Sequence, residues 1–219
     1  MRAYELGDPT DGDRARHAQL IAALRGPGEV RKLQHRLQAL ERLWREVQPN
    51  CMSRMRARRG LVPTADEVAC VARFATHAAS EVRRCVIKLM GHARTHLELV
   101  APVVAAGLVD PEVVVQLHAA EAALELGAGA RLEAELSAAL ASPTWRVRWY
   151  AAVALAGTPQ RERAAEVLLA SFPARGNALF GGGRLFDGSW EGLVRAFTPP
   201  TPAIAARLAE LDASRKASS

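Results

Sequence analysis

Apolar residues recur at spacings of three and four almost without a break, and strict alternation with β-branched residues is hard to find. That pattern predicts an all-α protein. Asp110-Pro111, Ser142-Pro143, Thr158-Pro159 and Thr201-Pro202 read as helix starts, each a capping side chain before a proline. The side-chain oxygen accepts an orphan N–H, and proline costs nothing at the first helical position, where its missing donor would be unpaired anyway. Thr64 and Glu67 have capping-box spacing. Gly91, Gly107, Gly127, Gly129 and Gly157 fall where helices are expected to stop.

The same pattern contains an internal repeat. Segments 82–91, 115–124 and 147–156 align on Val82, Val115 and Val147, whose steps are 33 and 32 residues. Asp110-Pro111 and Ser142-Pro143 keep the 32-residue step. A shorter apolar helix is expected after each copy, over about 97–108, 130–141 and 160–172. Each unit is thus a helix pair, and a period of this length is the signature of an α-solenoid. The entry Asp/Ser-Pro followed by Val-Arg-x-x-Ala-Ala-x-Ala-Leu, clearest from Val147 to Leu155, resembles the second helix of a HEAT repeat. It is most similar to the short bacterial form related to phycobiliprotein-lyase repeats. The resemblance covers residues 64–172. The copy at 82 lacks the Asp-Pro entry, and Gln116 stands where arginine is usual. The resemblance implies a solenoid of HEAT-like helix pairs whose second helices line a concave face and bind a protein partner there. Tetratricopeptide and ankyrin signatures are missing.

Three segments follow. Residues 1–62 form an N-terminal helical, arginine-rich segment with a heptad-like helix over 28–48. Residues 63–172 hold the repeats. Residues 173–219 are a Gly/Pro-rich irregular stretch and a closing helix around Ile204. In the 28–48 helix, Val30, Leu33, Leu37, Leu40, Trp44 and Val47 make an a/d seam. It either packs on Leu20, Ile21 and Leu24 as a solenoid cap, or pairs two chains as a homo-oligomer.

Charge changes the picture in one place only. The chain of 219 residues has net charge +6, with 26 arginines and three lysines. Residues 25–59 alone carry +7, and residues 60–219 balance to zero. Arg42, Arg45, Arg54, Arg56, Arg58 and Arg59 are therefore the phosphate or nucleic-acid candidates, because guanidinium forks grip phosphates bidentately. Aromatic interleaving for base stacking is absent there, so any such contact is to the backbone and salt-sensitive. Cys51, Cys70 and Cys85 lack CxxC spacing and fit a reducing cytoplasm. The polar, acidic stretch from Met1 to Asp13 is unlike a secretory signal. No stretch approaches the roughly 18 apolar residues of a membrane span.

Trp145, Arg148 and Trp149 share a helix face and have the composition of an interaction hot spot. With Arg83, Arg84 and Gln116 on the equivalent helices, they are the expected protein-binding residues. No nucleophile, acid/base pair, metal set or cofactor motif stands out. His92 and His96 lie four apart without a carboxylate at ligand spacing, and Gly181-Gly182-Gly183-Arg184 follows no strand. DNA glycosylases of HEAT-like build use Trp, Asp and Arg in a cleft; Trp145, Arg148, Asp187 and Trp190 match in type but not in order. The expectation is a non-enzymatic adaptor or assembly subunit. The alternative is a nucleic-acid binder acting through residues 25–59, with a glycosylase-like enzyme a more distant variant.

Overall fold

A computed structural model describes residues 7–26, 28–46, 59–171 and 197–217. The described residues are helical, with no strand beyond an isolated bridge at Gly7. The helices are α1 (Asp11–Leu24), α2 (Val30–Trp44), α3 (Ala65–Ala72), α4 (Ser80–Met90), α5 (Leu97–Leu108), α6 (Val113–Leu126), α7 (Glu133–Ala139), α8 (Trp145–Ala154), α9 (Arg161–Ser171) and α10 (Pro202–Ala217). A single 3-10 turn, Arg94–His96, precedes α5. No helix among the described residues is long and apolar enough to cross a membrane.

The chain divides into two compact units, Met1–Leu126 and Gly127–Ser219. Neither coincides with the segments expected at 62 and 172. In the first unit, α1 packs on α2, α3 on α4 and α5 on α6. The first members of these pairs touch in the order α1, α3, α5, and the second members in the order α2, α4, α6. Two layers result, with Leu37, Leu40, Val68, Val71, Val82, Leu89, Val104 and Ala119 buried between them. In the second unit α8 packs on α7 and α9, and α10 on α9, around Leu136, Val147, Ala151, Leu155, Leu168 and Ile204.

The seam of α2 faces its own chain. Leu33, Leu37, Leu40 and Trp44 are buried, with Ile21 and Leu24 of α1 buried beside them. This corrects the expected homo-oligomer seam: α1 and α4 already cover that face, and of its six positions Val30 is exposed while Val47 lies outside the described residues. Segment 1–62 thus shares a core with the residues up to 126. Trp44 Nε1 donates to His17 Nε2 at 2.9 Å in the buried space between α1 and α2.

Two expected starts hold. Thr64 and Glu67 close a capping box on α3, and Thr201 caps α10 at Pro202, its Oγ1 accepting from Ile204 N–H. The other proline pairs do not start helices directly. α6, α8 and α9 begin two residues after Pro111, Pro143 and Pro159, because the preceding side chain folds a turn instead. Gly107 does not stop a helix either. It lies inside α5, where a Cβ would sit 2.8 Å from Ile87 Cδ1 and 2.9 Å from Ala119 Cβ, so its bareness lets α5 approach α4 and α6. Gly127, at φ +65°, is the left-handed stop after α6.

Candidate functional site

The repeat position that follows each leading valine has one local job. Arg83 Nη1 donates to the carbonyls of His77 and Ala78, at 2.9 Å each. Arg148 Nη1 donates to those of Ser142 and Pro143, at 2.8 and 3.0 Å. Gln116 Nε2 donates to the carbonyl of Asp110 at 2.7 Å. In each case the acceptors lie five or six residues upstream, in the turn that enters the helix. That turn is itself closed by a side chain two residues before the N–H it accepts. His77 Nδ1 takes Ala79 N–H, Asp110 Oδ1 takes Glu112 N–H, and Ser142 Oγ takes Thr144 N–H. His77, Asp110 and Ser142 repeat the 33- and 32-residue steps. The copy at 82 therefore has an entry turn after all, built with histidine.

Arg83, Gln116 and Arg148, expected to bind a partner, are thus placed as braces of their own entry turns. Arg83 does more. Its Nε and Nη2 reach Asp110 Oδ2 and Oδ1 at 2.7 and 2.8 Å, tying α4 to the turn before α6. The Arg83 hydrogen bond holds the Asp110 carboxyl below its ordinary range, with burial opposing and Glu112 N–H assisting. Trp149, expected on the same binding face, is buried and packs edge-on against Tyr150, with ring centroids 4.9 Å apart. Trp145 is half-buried, with the Arg146 guanidinium 5.4 Å from its ring centre. The expected hot-spot face is therefore divided between core and surface.

Arg84, one residue further on, is placed differently. With Cys85 and Lys88 of α4, Gln38 and Glu41 of α2 and His118 of α6, it lines a cleft of about 110 Å3 in the second-helix layer. Its Nε is buried and has no hydrogen-bond partner among the described residues. Cys85 is buried, and its thiol is pushed up by desolvation, against the pull of Arg84 and Lys88.

Beside the cleft, three groups that no sequence pattern joins meet on one side. His92 Nε2 lies 3.5 Å from Glu41 Oε1, and His92 Nδ1 lies 3.7 Å from Glu125 Oε2. Arg45 Nη1 reaches Glu41 Oε1 at 3.3 Å. The two carboxylates respond oppositely. Burial pushes Glu41 up, but the His92 hydrogen bond together with Arg45 and Lys88 outweighs it, and the group ends below its ordinary 4.5. Burial pushes Glu125 above 4.5, with Glu121 and Glu41 adding to the rise against His92 and Arg94.

A pH experiment separates them. Glu125 titrates higher folded than unfolded, so its contribution to stability is present below pH 4.5 and lost as pH rises through its folded value. E125Q should therefore gain stability relative to the parent between pH 4 and pH 8. Glu41 contributes above 4.5 and loses that contribution as pH falls through its folded value. E41Q should be less stable than the parent at neutral pH, the gap closing on acidification. Urea midpoints across pH check both, and parallel curves for the two variants would contradict the assignment.

Two further histidines and three of the basic candidates have partners or places of their own. His96 bonds the carbonyl of Pro63 at 2.8 Å, and His118 bonds Glu121 at 2.9 Å. Among the described residues, no three His, Cys, Asp or Glu side chains are placed to hold a metal ion. Of the basic candidates, Arg42 is exposed on α2, Arg45 pairs with Glu41, and Arg59 pairs with Asp8 at 3.3 Å. Arg54, Arg56 and Arg58, the 172–196 stretch with Gly181 to Arg184, Asp187 and Trp190, and Cys51 lie outside the described residues. A larger, open depression of about 500 Å3 lies between α7 and α9, where Arg163 donates to Ser137 Oγ at 3.3 Å.

No family model matches the chain, and no curated protein matches it significantly. The site rests on its own geometry.

Sequence reasoning missed the Glu41–His92–Glu125 group. Glu41 directly follows the seam residue Leu40, where a glutamate is ordinary on an amphipathic helix, so the sequence carried no signal of its burial. Nothing in the sequence places His92 and Glu125 against it.

Proposed function

We propose that the chain is a non-enzymatic, HEAT-like α-solenoid of the cytoplasm, an adaptor or assembly subunit that binds a protein partner on its second-helix layer. One observation carries this reading: the same entry turn and brace recur at His77/Arg83, Asp110/Gln116 and Ser142/Arg148, at the steps of the sequence repeat. A device copied in this way is what repeated helix pairs need, each entering its second helix by the same turn. The surface centres on the cleft around Arg84 and Lys88 rather than on the arginines that brace the turns. The free thiols of Cys85 and Cys70 are compatible with a reducing compartment.

Site-specific photo-crosslinking tests it. A photoreactive residue at Leu117, half-buried on α6, should capture one protein at near-stoichiometric yield in the native cell. The same residue at Leu99, 45% exposed on α5 of the first-helix layer, should not. Equal capture from both positions, or adducts that nuclease removes, would overturn the reading. The second outcome favours the nucleic-acid alternative, for which exposed Arg42 on α2 is the described foothold.

A further inference from the structure

The cleft in the second-helix layer combines an unusual set of side chains. Arg84 and Lys88 are one helical turn apart on α4, so both project from the same face toward α2. Neither forms an ion pair within 4 Å among the described residues. The carboxylate that lines the cleft with them, Glu41, is already engaged by Arg45 at 3.3 Å and His92 at 3.5 Å. Arg84 meets the Cys85 thiol, a weak acceptor, and keeps a buried Nε–H with no acceptor among the described residues; an unmade bond at a buried cationic donor costs more than a neutral one. Gln38 adds a neutral amide on the facing helix.

We propose that this cleft is a carboxylate pocket, taking an aspartate or glutamate side chain from an acidic segment of a protein partner. The size fits. About 110 Å3 is a few water volumes of ~30 Å3, enough for a carboxylate and too little for a nucleobase. The charge fits a single anion: Arg84 and Lys88 together outweigh the Glu41 carboxylate that lines the cleft with them, and a planar guanidinium offers the fork geometry carboxylates accept. Arg42, one turn beyond Gln38 on α2 and exposed, extends the positive character along the direction an acidic segment would run.

The proposal rests on the partner-binding reading above but stands or falls by a different measurement. On the full chain with 15N-labelled arginine, the Nε–Hε resonance of Arg84, assigned from R84Q, is followed during titration with two probes. One is a capped hexaglutamate peptide and the other a dodecamer of oligothymidylate. Hexaglutamate should shift the Arg84 resonance saturably. R84Q and K88Q, each checked for an unchanged helical spectrum, should weaken the peptide by about tenfold or more, the size of one charge-assisted hydrogen bond. R14Q, which removes an exposed charge from α1, should leave it within about twofold.

Three results overturn the pocket. The Arg84 resonance stays put with the peptide; or oligothymidylate moves it and the peptide does not; or R14Q weakens binding as much as R84Q, which makes the attraction non-specific. The two readings fail separately. A partner captured at Leu117 whose complex leaves the Arg84 resonance unmoved sinks the pocket and spares the adaptor. A peptide-filled pocket with no Leu117 capture does the reverse.

Discussion

Replacing Arg83 with alanine should cost the fold about 3 kcal/mol, the lower bound for breaking a buried ion pair, because this bidentate pair is only partly buried. Its side chain is 13% exposed, and it serves two tasks at once. It braces the His77–Ala78 turn and anchors Asp110, whose other role is to close the turn into α6. The equivalent changes in the other copies should rank below it by the bonds each makes. Arg148→Ala loses at least the two bonds from a charged donor to the turn carbonyls, about 1.5–3 kcal/mol. Gln116→Ala loses one neutral bond, about 1 kcal/mol. Urea denaturation followed by helical circular dichroism gives the order. If R83A were as stable as the parent, the brace would be ornamental and the residue open again to a binding role.

Gly129→Ala should be the most damaging substitution among the described glycines of the second unit. The added Cβ would run into the backbone carbonyl of Ala154, at the end of α8. A flexible side chain can turn aside and a helix carbonyl cannot, so the cost belongs at the upper end for overpacking, about 3 kcal/mol. Two neighbouring glycines are internal controls. At Gly127 the space is open but φ is +65°, so alanine should cost about 1–2 kcal/mol in strain alone. At Gly157 nothing lies within 4 Å and φ is ordinary, so alanine should be neutral or slightly stabilising. Thermal midpoints of the three variants test the ranking; equal shifts at 129 and 157 would mean that α8 does not approach the 127–130 turn as closely as described.

The braces show why one motif reads two ways. Arginine after the leading valine is visible in sequence at positions 83 and 148, and its recurrence is a true signal. Recurrence alone cannot say whether the guanidinium faces a partner or the chain's own carbonyls. The turn five residues upstream decides, and it is occupied by three chemically different residues: His77, Asp110 and Ser142. Their shared function is a hydrogen bond to the N–H two residues on, which composition hides. The two tryptophans teach the same lesson, since Trp145 and Trp149 share a helix face yet end half-buried and buried.

By itself the sequence determined the helices, the period and most of the buried seams. Those follow from spacing along one chain: a 3.6-residue turn sorts residues into faces, and a capping box such as Thr64–Glu67 closes within four residues. Only the tertiary structure decided what each face meets. The α2 seam met α1 and α4 instead of a second chain, and Gly107 met α4 and α6 instead of ending a helix. Part of the net positive charge of residues 25–59 was met from outside the segment, by Asp8 against Arg59. The Glu41–His92–Glu125 group and the Arg84–Lys88 cleft draw on helices up to 84 residues apart in sequence. Electrostatic pairing acts over a few ångströms of space, and no pattern of neighbours along the chain encodes which charges will share them.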